Sequence, residues 1–358
     1  MSELEPPYGA RDRHDMAGRI AAIPRHITEA LGRSARNPWR LPVREPTLLA
    51  FGGMGGSAIA GELTWALVAD RAPHPMLIAR DDHWPACVGS HALALLSSYS
   101  GDTAETLALY REAAARRVPR VALTSGGTLE KWCDRDEAYV HRVPGGSPPR
   151  AALFTVWVPV TRLVHALGWC DDPRHGWEEA ATLLERRNAL LAPPAPETQN
   201  PAKQLARALA GRFVMIYAAS ERSAAVATRW RQQVNENAKQ LAHAAQVPEL
   251  DHNEIVGWER GGEFHARASV VLLRDAEDPA DAALRLELTA DDAARAGAQV
   301  HEVHSEGGSR IARMASLVQL GDWTSLYLAL LNGVDPTPIA SIDAFKRRLG
   351  EAAGPARA

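Results

Sequence analysis

The chain has 358 residues, of which 46% are apolar and 23% charged, and its formal net charge is -3. This length favours two domains with substantial apolar cores, and the balanced charge excludes the basic surface of a nucleic-acid-binding protein. Three widely spaced cysteines without a CxxC pair indicate neither a disulfide framework nor a zinc site, and they are typical of a reducing cytosol.

The N-terminal segment, residues 1–45, is predicted to be helical. Its first residues, MSELEPPYGARDRHD, carry charges instead of an apolar stretch, so no signal peptide and a cytoplasmic location are expected. The following stretch, DMAGRIAAIPRHITEALGR, predicts an amphipathic helix interrupted at Pro24.

Short apolar runs then alternate with amphipathic stretches over residues 46–190. The predicted strands are TLLAFGG, HPMLIAR, ALALLSSY, RVALTSG and AYVHRV. This alternation predicts a doubly wound α/β domain, in which ligands bind beyond the carboxyl ends of parallel strands. The apolar stretch ALFTVWVPVTRLVHALGW contains Pro159, Arg162 and His165, and we therefore expect no membrane span.

A proline-rich stretch, residues 191–203, predicts a linker to a second domain of similar plan over residues 204–358. In that domain, RFVMIYAAS is expected to be a strand and to be followed by helix up to about Ala245. ARASVVLLRD and AQVHEVHSEG are the next predicted strands, and WTSLYLALLNG and DAFKRRLG are predicted helices. Trp323 and Tyr327 are expected to pack within the first of these helices.

Two turns in the first half share a composition suited to anions. FGGMGGSA, residues 51–58, and SSYSGDT, residues 97–103, each follow a strand and lead into a helix. Helix N-termini present free N–H groups to an anion, glycines permit close approach, and hydroxyls add donors. Neither turn has the spacing of a P-loop or a dinucleotide fingerprint. Together they predict a phosphate site, although one such turn alone is more typical of a helix cap.

Six motifs in order carry a family resemblance: GGMGGSA, SSYSGDTAET, VPGGSPPRAAL, WRQQVNENAKQLAH, PELDHNEIVGW and LGDWTSLYLALLNGVDPTPIASIDAFK. With them the chain resembles the bifunctional phosphoglucose/phosphomannose isomerase family of the sugar isomerase (SIS) superfamily. The resemblance implies two SIS domains, each a mostly parallel sheet flanked by helices. It also implies an aldose–ketose isomerase that converts glucose 6-phosphate, and also mannose 6-phosphate, into fructose 6-phosphate and back through a cis-enediol.

The same resemblance implies which residues form the site. Glu236 of NENAK matches the base that moves a proton between C1 and C2, and Arg150 matches an arginine beside the enediolate. The substrate phosphate would be held by the two turns, through Gly56, Ser57, Ser98, Ser100 and Thr103. Considered without the resemblance, Glu236 is a helix-surface carboxylate with Lys239 as its ion-pair partner at i+3.

His252 and Lys346 match the two ring-opening groups of the family. The histidine reaches the site from a second subunit in that family, which implies a homodimer. An exposed lysine at a helix end is the alternative for Lys346. The enediol route implied here needs no metal ion and no cofactor, and His301 and His304 are expected to be an ordinary strand-end pair.

Asp102 departs from the family pattern, which usually has asparagine there, and a carboxylate beside a phosphate would repel it. Our hypothesis is that Asp102 points away and caps the helix that follows it. Two smaller departures are Ala58, where the family has glycine, and Ala104, where it often has glutamate. A further observation is that only four of the 40 basic residues are lysines, which indicates positions that need a compact or titratable amine. They are Lys131, Lys203, Lys239 and Lys346.

Two other functions stay open from the sequence. A non-catalytic SIS protein would bind sugar phosphates as a sensor or regulator, and a related isomerase would act on an amino sugar or pentose phosphate. The joint presence of Glu236, His252, Lys346 and Arg150 disfavours the sensor. The small side chain of Thr337 is compatible with space near C2, as acceptance of both glucose and mannose 6-phosphates requires.

Overall fold

The computed structural model describes residues 3–353. The N-terminal segment contains helices α1 (Met16–Ala21) and α2 (Ile23–Arg36), and Pro24 lies in the first turn of α2. The predicted interruption at this proline is confirmed. A new helix starts at this proline because the first turn of a helix tolerates a residue that lacks an N–H group.

All five strands predicted in the first half form one parallel sheet, in the order β2-β1-β3-β4-β5. In chain order the elements are β1 (Leu48–Gly53), α3 (Gly55–Val68), β2 (Met76–Ala79), β3 (Ala92–Ser97), α4 (Ala104–Ala115), β4 (Arg120–Thr124), α5 (Gly127–Arg135) and β5 (Val140–Arg142). The strand order reverses between β1 and β3, where Gly53 lies opposite Ser97. The two phosphate-type turns therefore lie side by side at the position where doubly wound sheets bind ligands.

Helices α6 (Leu153–Ala166), α7 (Arg174–Leu191) and α8 (Pro201–Leu209) connect this sheet to the second one. The apolar stretch around Pro159 forms the buried helix α6. None of the helices within residues 3–353 combines the length and apolarity needed to cross a membrane.

The second sheet is also parallel, in the order β7-β6-β8-β9. Its elements are β6 (Phe213–Ala218), α9 (Glu221–Ala238), β7 (Ala242–Gln246), α10 (Glu263–Ala266), β8 (Ala268–Arg274), α11 (Ala280–Arg295), β9 (Gln299–His304) and α12 (Arg310–Leu331). The expectation of helix up to Ala245 was wrong. Lys239 takes a left-handed conformation that ends α9, and β7 pairs with β6, so tertiary pairing overrides the helix preference of alanine.

Helix α12 lies at the centre of the chain. Its residues from Ile311 to Leu330 are all buried, and Trp323 and Tyr327 stack at 5.8 Å between ring centroids within it, as predicted. One continuous apolar core contains side chains of both sheets as well as α12.

The proline-rich stretch predicted as a linker is anchored to this core. Its last residue, Lys203, is fully buried, and its Nζ donates to the carbonyls of Pro193 at 3.0 Å and Ala195 at 2.8 Å and to the Glu5 carboxylate at 3.2 Å. A compact ammonium with three donors fits these three oxygens. The final helix, α13 (Ala340–Ala353), is by contrast largely exposed, including Phe345 at 62%.

His141 on β5 generates a prediction about stability. The ring stacks on Trp39 at 4.7 Å, and burial lowers its pKa from 6.5 to about 4. Below pH 6.5 the unfolded chain therefore binds a proton that the folded chain does not, and stability falls as the pH is lowered. At pH 5 this loss amounts to about 2 kcal/mol relative to neutral pH.

His141→Phe should retain the stacking and weaken the pH dependence, since the buried Nε2 has no partner among the described residues. We expect urea titrations at pH 7 and pH 5 to show a smaller decrease in unfolding free energy for this variant than for the wild type. His175→Gln, at an exposed histidine, serves as the control and should leave the decrease unchanged. Equal decreases in all three proteins would contradict the assignment.

Candidate active site

The first turns of α3 and α4 present unused N–H groups at the carboxyl edge of the first sheet. Neither the N–H groups of Gly55 and Gly56 nor those of Ala104 and Glu105 donate a hydrogen bond to any part of the chain that the structure describes. The Ser57 side chain is buried at the start of α3. Free N–H groups at two adjacent helix starts make this edge a candidate anion site.

The hydroxyls after β3 form a compact group. Ser98 Oγ lies 2.9 Å from Thr103 Oγ1 and accepts a hydrogen bond from the Gly101 N–H at 3.1 Å. Ser100 Oγ accepts from the Asp102 N–H at 3.3 Å. Gly101 has φ +77°, and a Cβ there would lie 1.8 Å from the Gly126 carbonyl oxygen, so only glycine fits this turn.

Asp102 points away from this group, as the hypothesis required, but it does not cap the helix that follows it. Its Oδ1 accepts from the Thr128 N–H at 2.9 Å and the Thr128 Oγ1 at 2.7 Å, in the first turn of α5. These hydrogen bonds, the backbone one first, lower the pKa of Asp102. The carboxylate therefore stabilises α5, whereas α4 has no side-chain cap.

Arg150 joins the two halves of the chain. It lies in the 3-10 turn Pro149–Ala152 and is 3% exposed. Its Nε donates to Asn237 Oδ1 at 2.7 Å, and its Nη2 donates to the carbonyls of Pro336 at 2.6 Å and Thr337 at 2.7 Å. Burial lowers its pKa, and the nearby Glu236 carboxylate opposes that shift.

The phosphate-type turn at Gly56 lies against the same arginine segment. A Cβ at Gly56 would be 2.9 Å from the Pro149 carbonyl oxygen and 3.4 Å from the Arg150 nitrogen. Glycine at position 56 thus permits the start of α3 to approach Arg150 closely.

Glu236 lies in the last turn of α9, with its Oε2 3.6 Å from Arg150 Nη1 and its side chain 28% exposed. The structure therefore brings together Gly56, Arg150 and Glu236. The alternative ion pair with Lys239 is not formed, because the Lys239 amine donates to the main-chain oxygen of Glu236 at 2.8 Å. A carboxylate open to solvent on one side and fixed beside a guanidinium is suited to accept a proton from a bound ligand.

Within one chain, the described residues show no hydrogen bond or ion pair between His252 or Lys346 and the pair Arg150 and Glu236. The His252 side chain is exposed and makes no hydrogen bond or ion pair with residues 3–353. Its neighbours are anchored: Asp251 accepts from Arg285 and from Thr289, each at 3.1 Å. Lys346 is exposed on α13.

Sequence reasoning missed two sets of residues that shape the site. Asn237 and the carbonyls of residues 335–337 receive the donors of Arg150 and Lys239. Glu254, two residues after His252, accepts from Tyr217 at 2.6 Å and pairs with His243 at 2.9 Å, which attaches the His252 segment to β6 and β7. Two signals in the sequence pointed to Lys239: the rarity of lysine and its i+3 spacing from Glu236.

The chain is similar in sequence to a family of known proteins. Residues 198–349 match the family described as the bacterial phospho-glucose isomerase C-terminal SIS domain. The chain is 39% identical over 299 residues to a bifunctional phosphoglucose/phosphomannose isomerase of Caldicellulosiruptor bescii, covering 84% of this chain and 88% of that protein. A protein of the same name from Aquifex aeolicus is 30% identical over 302 residues, covering 84% and 90%.

Among solved structures, a glucose-6-phosphate isomerase like protein from Thermus thermophilus aligns with a TM-score of 0.62 at 19% identity, covering 97% of this chain and 99% of that one. Two parallel sheets flanked by helices, together with the match of residues 198–349 to a SIS-domain family, define a SIS-type α/β protein. Sequence identity to the two relatives defines the family within this class: the chain belongs to the bifunctional phosphoglucose/phosphomannose isomerase family. The predicted fold class and family are confirmed.

The contacts of Asp102 lead to a prediction about ligand affinity. Asp102→Asn keeps an oxygen acceptor for Thr128, whereas Asp102→Ala removes the cap of α5 and should cost about 1 kcal/mol of stability. Because the carboxylate faces α5, we expect neither change to strengthen the binding of a sugar 6-phosphate more than about 3-fold, or 0.6 kcal/mol.

Calorimetric titration with fructose 6-phosphate and urea denaturation of the three proteins measure both effects. Thr128→Val, which removes one of the two hydrogen bonds, is the matched control and should lie between the wild type and Asp102→Ala in stability. A tenfold gain in affinity for Asp102→Asn would mean that the carboxylate does face the phosphate.

Proposed function

We propose that the protein is an aldose–ketose isomerase that interconverts glucose 6-phosphate, and mannose 6-phosphate, with fructose 6-phosphate. The observation that carries this proposal is the fixed pair of Arg150 and Glu236, 3.6 Å apart, against the phosphate-type turn at Gly56. The two curated relatives, which carry both activities in their names, support it.

The first task is to hold the substrate phosphate. The N–H groups at the starts of α3 and α4 and the hydroxyls of Ser57, Ser98, Ser100 and Thr103 supply donors there. Holding the phosphate at this edge orients the remote carbons C1 and C2, so that binding energy contributes to the reaction step.

The second task is proton transfer between C2 and C1. Glu236 removes the C2 proton of the open-chain aldose, the electron pair forms the enediolate, and the same carboxylate returns the proton to C1. A second proton passes from the C2 hydroxyl to the oxygen on C1, which yields the ketose. Arg150 places a buried positive charge beside the developing negative charge, where low polarity strengthens the interaction.

The third task, ring opening, is assigned to His252 and Lys346. Both side chains are exposed, and in the described residues neither forms a hydrogen bond or ion pair with Arg150 or Glu236 of its own chain. We therefore infer a homodimer in which His252 of one subunit completes the site of the other. We also propose that the protein acts in the cytoplasm. Imidazole titrates near neutral pH and can serve as both acid and base at the ring oxygen.

The Glu236→Gln variant tests the proposed base. It removes the proton acceptor but keeps the size of the side chain, so kcat should fall by about 10²–10⁴-fold while fructose 6-phosphate still binds. Turnover is measured with a coupled glucose 6-phosphate dehydrogenase assay and binding by calorimetry. Glu221→Gln, at an exposed glutamate in the first turn of the same helix, is the control and should keep wild-type turnover.

Binding and turnover measurements with several sugar phosphates separate the other functions. Wild-type protein that binds fructose 6-phosphate without turnover would support a sensor. Turnover of glucosamine 6-phosphate or a pentose 5-phosphate in place of the hexose phosphates would indicate a different isomerase.

Mixed dimers test the contribution of His252 across the interface. A dimer of one His252→Ala chain and one Glu236→Gln chain has one site with both residues intact if His252 acts in trans, and none if it acts in cis. We expect doubly tagged, purified mixed dimers to recover about half of the wild-type kcat, because a two-fold dimer has two equivalent sites. Activity no higher than that of the parent variants would refute the arrangement.

A further inference from the structure

The segment Asp335–Thr337 is held by two cations that come from different parts of the chain. The Pro336 carbonyl oxygen accepts from Arg150 Nη2 at 2.6 Å and from Lys239 Nζ at 3.1 Å. Arg150 also binds the Thr337 carbonyl, and Lys239 binds the Asp335 carbonyl at 3.0 Å. This segment leads directly into α13, which carries Lys346.

Lys239 reaches the segment from the end of α9. Its third acceptor is the main-chain oxygen of Glu236 at 2.8 Å, so all three donors of the ammonium are used. One amine therefore connects the helix turn of Glu236 to the segment that precedes α13.

The backbone of Lys239 favours glycine. It has φ 53°, the left-handed conformation that usually carries glycine after a helix and that costs other residues about 1 kcal/mol. Lysine in this conformation bears that cost and places its amine against the Asp335–Thr337 segment.

The choice of lysine over arginine has a geometric reason. Three carbonyl oxygens converge on one point, which suits a compact ammonium and not a planar guanidinium. The buried Lys203 shows the same preference, with two carbonyls and a carboxylate around its amine. These two positions account for half of the four lysines in the chain.

We propose that Lys239 is a positioning residue of the isomerase site, which fixes Glu236 relative to the Asp335–Thr337 segment and hence to Arg150. The inference rests on the proposed function, because it assigns Glu236 and Arg150 to the reaction. The hydrogen bonds of Lys239 within the described residues go to Glu236, Asp335 and Pro336 and not to the phosphate-type turns, so its loss should affect kcat and leave KM nearly unchanged.

The amine also titrates in an accessible range. Burial, and next the positive charge of Arg150, lower the pKa of Lys239 to about 8, against the opposing effects of Asp335 and Glu236. Above this pH the neutral amine has two N–H donors for three carbonyls. Wild-type kcat should therefore decline on the alkaline side, and this decline should be absent in a variant without the amine.

Two substitutions of Lys239 distinguish a role of its amine in positioning Glu236 from a role of its backbone in ending α9. Lys239→Gly relieves the left-handed backbone and should keep or raise the melting temperature, and Lys239→Met keeps the side-chain length. We expect kcat to fall by about 10–100-fold in both, with KM changed by less than about 3-fold. Lys131→Met, at an exposed lysine on α5, is the control and should keep wild-type kinetics. Wild-type kcat in Lys239→Gly, or an unchanged alkaline decline in Lys239→Met, would overturn the proposal.

Hydrogen exchange of the proteins without substrate distinguishes this inference from the proposed function. Amides of residues 335–345 should exchange faster in both Lys239 variants than in the wild type and in Lys131→Met. If the wild type has no isomerase activity, the proposed function fails, and this measurement still tests the connection made by Lys239. Unchanged exchange in both variants would show that the amine does not hold the segment.

Discussion

The buried guanidinium of Arg150 is the interaction on which the site depends. A cation 3% exposed is tolerated only when its donors are satisfied, and its Nε and Nη2 groups are bound by Asn237 and by the carbonyls of Pro336 and Thr337. These acceptors come from α9 and from the chain after α12, whereas Arg150 follows the first sheet. Satisfying one charge therefore forces three distant segments to meet beside Glu236.

A second buried cation supports the first. Arg229 on α9 pairs with Asp322 on α12 at 3.0 Å, and its Nη2 also donates to the main-chain oxygen of Arg150 at 2.7 Å. Burial raises the pKa of Asp322, and the adjacent Arg229 opposes this shift. Removing either partner would leave an unpaired charge in the core, which is the costly case for buried ion pairs. The backbone of the arginine turn is thus fixed by the same helix, α9, that carries Glu236.

The sequence predicted the parts of the site that depend on local pattern. Strand periodicity located eight strands, and the glycine and hydroxyl turns identified the carboxyl edge between β1 and β3. Prediction from the sequence failed where tertiary contacts determine the structure. Strand β7 pairs with β6 despite its alanines, and Asp102 caps α5 because that helix starts beside it. The partners of Arg150 and Lys239 are mostly main-chain carbonyls, which every residue possesses and no side-chain pattern reveals.

The division between buried and exposed groups follows from their proposed tasks. Arg150 has to stabilise charge on an enediolate, and burial strengthens that interaction by excluding water. His252 and Lys346, which are assigned to ring opening, are by contrast exposed. The segment of His252 is anchored through Asp251 and Glu254, which fixes the position from which this exposed histidine would reach a second copy in the proposed dimer. In the proposed dimer, a second copy would add His252 to a site whose buried cation and carboxylate are already paired within one chain.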